Sequence, residues 1–113
     1  MIIKRGCIYL AALDPTIGSE IAKTRPVLIV SNDINNQYSG TITILPITSK
    51  NLKKIYPFEV ALPKGTGNLT KYSKVKADQI RTLDRSRMIK FIGQVEEELM
   101  RQVEAAIKIH VYL

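Results

Sequence analysis

The chain has 113 residues, 45% of them hydrophobic, with 17 Lys and Arg against 10 Asp and Glu, one histidine and one cysteine. That length and apolar content predict one folded domain over residues 1–113 and exclude a disordered chain. The longest aliphatic run, Val27–Val30, falls far short of the roughly 20 residues that span a bilayer, and one His with one Cys leaves few ligands for an N/S-ligated metal site and excludes a two-histidine catalytic set.

The formal net charge of +7 and the pI near 9.7 point to an anionic partner, either nucleic acid or an acidic protein. The start, "MIIKRGCIYLAAL", is too short and too polar in its apolar stretch for a secretory signal. Cys7 has no second cysteine to pair with, as expected in a reducing cytoplasm.

In chain order, "CIYLAAL" (7–13) reads as a strand that ends in the turn "DPTIG". "RPVLIVSN" (25–32) is a second strand, with "DINN" as the turn out of it. "TITILPITS" (41–49) alternates as a half-buried strand does, and Pro46 inside it calls for an edge position or a bulge. "YPFEVALP" (56–63) is a fourth strand, followed by the flexible "KGTGN". "YSKVKADQIRTL" (72–83) alternates again, with Val75 and Ala77 on one face and Lys74, Lys76 and Asp78 on the other. "RMIKFIGQV" (87–95) is the last strand.

The tail changes period. Val95, Leu99, Val103, Ala106 and His110 fall three or four residues apart, one face of a helix. Glu96, Glu97 and Glu98 suit its positive N-terminal end and Lys108 the other. No Ser, Thr, Asp or Asn caps its start. Five or six short strands and one helix make an α+β, mainly β fold, a small antiparallel barrel closed or covered by the helix.

At "KTRPVLIV" a cation stands at the mouth of a core strand, and Pro26 holds the backbone of Arg25 extended. Four segments, "RGCIYLAALDPTIGSE", "KTRPVLIVSNDINN", "TITILPITS" and "KVKADQIRTLDRSR", resemble the MazF/PemK-type toxin endoribonucleases of bacterial toxin–antitoxin systems, in the family's order and over most of the chain. The resemblance implies a homodimeric SH3-like β-barrel with a C-terminal helix. It also implies cleavage of single-stranded RNA without a metal or other cofactor, leaving a 2′,3′-cyclic phosphate and a 5′-hydroxyl. It implies, too, a cytoplasmic protein restrained by an acidic, MazE-like antitoxin.

Residue by residue, Arg25 matches the family's catalytic arginine and Thr48 its catalytic threonine. A fixed guanidinium stabilises charge building on a phosphate in the transition state, and a hydroxyl donates to the same group. An arginine is a poor general base at neutral pH, so we read Arg25 as an electrostatic clamp and proton donor to the leaving oxygen. Some family members assign base work to an aspartate that corresponds to Asp78, but they carry a histidine where this chain has Ser19. Ser19, Glu20, Ser73, Lys76, Asp78 and Gln79 correspond to substrate-contact regions.

Tyr56 and Tyr72 are candidates for stacking bases, and Lys50, Lys53 and Lys54 for holding phosphates. The plainer alternatives are an Arg25–Glu20 ion pair, an ordinary strand threonine at 48 and a Lys76–Asp78 ion pair. Two other function classes compete: a gyrase poison of the CcdB type, and an SH3-like nucleic-acid-binding module without chemistry. The first rests on a C-terminal Trp-Gly-Ile, whereas this chain has no tryptophan and ends "HVYL".

Overall fold

The computed structural model describes residues 2–113. Seven strands and two helices follow one another as β1 (Cys7–Ala12), β2 (Thr24–Ile29), α1 (Asp33–Tyr38), β3 (Thr41–Thr48), β4 (Glu59–Leu62), β5 (Ser73–Lys76), β6 (Arg81–Asp84), β7 (Met88–Gln94) and α2 (Glu97–Val111). All pairings are antiparallel, in the order β4-β5-β3-β2-β1-β7, with β6 also paired to β3. The sheet is barrel-like but open, because β4 and β7 do not pair with each other.

The continuous apolar runs have a direct cause. Successive side chains of a strand leave on opposite faces, and here both faces are covered. Ile8, Leu28, Leu45 and Ile47 pack in a core with Met100, Val103 and Ala106 of α2. Their strand neighbours Tyr9, Val27, Ile29 and Ile44 pack in a second core with Leu83 and Met88. Lone Cys7 lies in that second core, where burial pushes its thiol up, away from nucleophilic use.

Several boundaries differ from the sequence reading. "DINN" is not a turn but the first turn of α1, capped by the Asn32 side chain, which accepts from the Asn35 amide at 2.8 Å. The single strand expected over 72–83 is two, β5 and β6, separated by a 3₁₀ turn at Ala77–Gln79. Pro46 occupies neither an edge nor a bulge. β3 is central, and Pro46 pairs in register with Val27 of β2. On its other side, β6 covers Thr41–Ile44 and β5 covers Ile47 and Thr48. Pro46 falls in the gap between them, where no ladder donor is needed.

Helix α2 starts without a side-chain cap, as expected, and carries Glu97 and Glu98 in its first turn. Gly93 has a steric reason. A Cβ there would stand 2.2 Å from the Gly67 carbonyl oxygen, so only glycine lets β7 approach the 66–68 turn.

Candidate active site

Adjacent strands β2 and β3 pair Val27 with Pro46. Extending that antiparallel register by two residues sets Arg25 opposite Thr48. Both side chains open into one cavity of about 400 Å³, which Ser19, Glu20, Lys76, Asp78 and Gln79 also line. Seven of the eight residues singled out in the sequence therefore converge.

The exception is Ser73. It is 5% exposed, lies outside the cavity, pairs with Leu62 of β4 and donates its hydroxyl to the Lys71 carbonyl at 3.0 Å. It holds the start of β5, and its donor is already used.

Arg25 is not tied to Glu20. Its Nε donates to the Ala22 carbonyl at 3.3 Å, and among the described residues its two terminal nitrogens have no hydrogen-bond partner. Glu20 instead accepts from the Ile17 amide at 2.6 Å, closing its own loop. The chain enters β2 through Lys23, held at a left-handed φ of 67°. With Pro26 on the other side, the backbone of Arg25 is constrained at both ends.

At the end of β3, the Thr48 Oγ1 accepts from the Lys50 amide at 3.1 Å. A hydroxyl that accepts from the backbone keeps its proton to donate outward. Asp78 contributes the opposite capacity. Its Oδ1 is buried with no hydrogen-bond partner, and its Oδ2 lies 3.9 Å from the Lys76 Nζ. An unsatisfied buried acceptor beside a cavity is unusual and marks a place where a ligand donor fits. The expected Lys76–Asp78 pairing is thus secondary, because Lys76 sits closer to Glu59, at 2.9 Å. Gln79 ties the first loop instead of standing free. Its Oε1 accepts from the Ile21 amide at 3.3 Å, and its Nε2 donates to the Ser19 carbonyl at 3.4 Å.

A larger groove of about 790 Å³ continues from this cavity, sharing Asn51, Lys74, Lys76 and Asp78 and adding Lys53, Lys54, Tyr56 and Phe58. Tyr56 is stacked on Phe58, with ring centroids 5.4 Å apart and planes 9° apart, and the Lys54 ammonium lies 4.7 Å from its ring centre. Its ring is therefore already engaged, and Tyr72 lines neither space.

The sequence reading missed Glu59 and its pairing with Lys74. Glu59 and Lys74 form a 3.0 Å ion pair with side chains 1% and 3% exposed. Lys74 does leave β5 on the face opposite Val75, but that face is covered by residues 51–59. Burial pushes the Glu59 carboxyl up, while the Tyr56 amide and the Lys76 and Lys74 ammoniums together outweigh it and hold the group below its ordinary value. Only the partners' separation of 15 residues links them in sequence, which no short-range pattern reveals.

Among the described residues, no three His, Cys, Asp or Glu side chains come together as a metal-binding group, and no helix is long and apolar enough to cross a membrane.

Comparison with known proteins places the chain in a family. Residues 4–111 match the family of PemK-like, MazF-like toxins of type II toxin–antitoxin systems. The endoribonuclease MazF9 of Mycobacterium tuberculosis is 39% identical over 98% of this chain and 98% of its own length. The endoribonuclease EndoA of Bacillus subtilis is 36% identical over 100% of this chain and 97% of its own. The crystal structure of MazF from Deinococcus radiodurans superposes with a TM-score of 0.85 at 28% identity, covering 100% of this chain and 99% of that one. The chain belongs to the PemK-like, MazF-like toxins of type II toxin–antitoxin systems.

Proposed function

We propose that this chain cuts single-stranded RNA by in-line attack of the ribose 2′-oxygen on the neighbouring phosphorus. As a member of its family it is a toxin-type endoribonuclease; the chemistry of the cut is our reading. The observation that carries it is that Arg25 and Thr48 line one cavity, with the guanidinium's terminal nitrogens and the hydroxyl's proton both unused among the described residues.

In this step the 2′-oxygen bonds phosphorus as its hydroxyl proton passes to a water molecule, and the bond from phosphorus to the 5′-oxygen breaks as that oxygen takes a proton from Arg25, which solvent restores. A 2′,3′-cyclic phosphate remains on one fragment, and the other leaves with a protonated 5′-hydroxyl. Negative charge grows on the non-bridging oxygens and on the leaving oxygen. Arg25 meets that charge as a preorganised clamp, and Thr48 donates to a non-bridging oxygen. The nucleophile belongs to the substrate and is already tethered beside the phosphorus, so positioning and charge suffice without a metal. Lys76 and Lys50 neutralise flanking phosphates, while Ser19, Glu20, Asp78 and Gln79 present donors and acceptors to splayed base edges.

Two partners follow. A basic groove is blocked most effectively by an acidic chain, which fits a MazE-like antitoxin whose acidic tail covers the cavity. Exposed Ile89 and Phe91 on edge strand β7, with Ile109 and Val111 near the end of α2, supply apolar surface for a homodimer.

Arg25→Ala and Thr48→Ala, assayed on single-stranded RNA, test the reading. Each should stay folded and lose turnover, Arg25→Ala by at least about a hundredfold. Arg25→Lys should not recover fully, because a point charge lacks the guanidinium fork. A folded Arg25→Ala protein with wild-type turnover would return Arg25 to a structural role. A wild-type protein that binds RNA without cutting it would favour the non-catalytic module.

A further inference from the structure

Lys74 is the one buried cation among the described residues. An ammonium taken out of water needs an acceptor for each of its three protons. Lys74 has three: the Asn51 carbonyl at 2.9 Å, the Lys54 carbonyl at 3.3 Å and the Glu59 Oε1 at 3.0 Å. Two of these are main-chain groups of the irregular segment that leaves Thr48. That segment turns through Asn51 at a left-handed φ of 55°, a conformation that asparagine adopts more readily than other side-chain-bearing residues.

Thr48 and Lys74 are direct register partners across β3 and β5. Between Thr48 and the carbonyl that Lys74 holds lies Lys50, whose amide donates to the Thr48 Oγ1 at 3.1 Å. The links are continuous: the buried ammonium fixes the Asn51 carbonyl, the fixed turn places the Lys50 amide, and that amide occupies the Thr48 hydroxyl's acceptor side so that its proton points away. Glu59 completes the anchor. Its Oε1 also accepts from the Tyr56 amide at 3.0 Å, and its Oε2 accepts from Lys76 at 2.9 Å.

We infer that Lys74 is a positioning residue of the RNA-cleaving site: its side chain borders the cavity, but all three ammonium protons are spent on the protein, and it orients the Thr48 hydroxyl through the 49–54 turn. The inference rests on the catalytic role proposed for Thr48. A positioning role differs from a merely structural one in what it predicts. Loss of Lys74 should slow turnover only while Thr48 has a hydroxyl to orient.

The test is a double-mutant cycle under single-turnover conditions on single-stranded RNA. Lys74→Met keeps the aliphatic stem and removes the ammonium. It should lower kcat by about tenfold, the scale of one misplaced hydrogen bond, and leave KM within about twofold. In a Thr48→Ala background the same change should alter kcat by less than about twofold.

Because Lys74→Met alone leaves Glu59 with one cation fewer, the cycle is repeated with Lys74→Met combined with Glu59→Gln, which leaves no buried charge where the pair stood. Thermal melts establish that each protein compared is folded. Equal losses in both backgrounds, or no loss in either, would overturn the inference alone. A Thr48→Ala protein as fast as wild type would overturn the role proposed for Thr48, and the inference with it.

Discussion

Two segments wall the cavity, residues 13–23 between β1 and β2 and residues 49–58 between β3 and β4, and they are held in opposite ways. The first is tied from outside. Arg81 donates to the Leu13 and Ile21 carbonyls at 3.0 and 3.2 Å, Arg87 donates to the Ala12 carbonyl at 3.1 Å and to that of Asp14, and Gln79 holds Ser19 and Ile21. These side chains are partly exposed, so a broken tie is replaced by water. The second segment is tied from beneath by Lys74 and Glu59, which water does not reach. Releasing it leaves buried charge unpaired. The difference teaches that the wall carrying Ser19 and Glu20 can be displaced, by entering RNA or by an antitoxin, while the wall beside Thr48 stays in place.

The largest expected effect comes from removing the anchor of the fixed wall. Glu59→Ala strands two ammoniums, and unfolding in denaturant should show a loss of about 3–5 kcal/mol. Hydrogen exchange should accelerate first in residues 49–58. A loss below about 1 kcal/mol would put both walls in the same class.

Arg81→Ala should cost less, about 1–3 kcal/mol, because it frees the neutral carbonyls of Leu13 and Ile21 without stranding a buried charge. Its exchange should rise in residues 13–23 and leave 49–58 protected. Acceleration spread over both segments would break the contrast.

The smallest effect is that of pH. The folded-state pKa of Glu59 lies below its ordinary value of 4.5. Its contribution to stability is therefore complete above that value and is lost as pH falls through the folded pKa. Acidification should loosen residues 49–58 while leaving 13–23 unchanged, and Glu59→Gln should abolish that response. An acid response of the same size in Glu59→Gln would assign it to other carboxylates.

The sequence made the site more legible than the scaffold that supports it. Arg25 and Thr48 were readable because each lies within a segment that resembles the family, one just before Pro26 and the other two residues after Pro46, and the fold then brings both to one cavity. Helix α1 was not readable. Six residues with Ile34 exposed offer no amphipathic period, and only the Asn32 cap signalled it. Pro46 misled because a break in strand pairing on one side of a central strand has no local signature. The burial of Lys74 was not readable, for a physical reason. Alternation fixes which face a side chain leaves from, but not what lies over that face, and here a loop with a buried glutamate covers it.

The central claim is that the RNA supplies its own nucleophile, while the protein supplies position, charge and a proton for the leaving oxygen. The most direct measurement uses one RNA strand bearing a single 2′-deoxy nucleotide immediately 5′ of the cut, incubated with the protein in EDTA beside the all-ribose strand. The all-ribose strand should be cut, its upstream fragment ending in a 2′,3′-cyclic phosphate, and the substituted strand should bind with nearly the same affinity and survive. Cleavage of the substituted strand, or cleavage of the all-ribose strand only when magnesium is restored, would contradict the account.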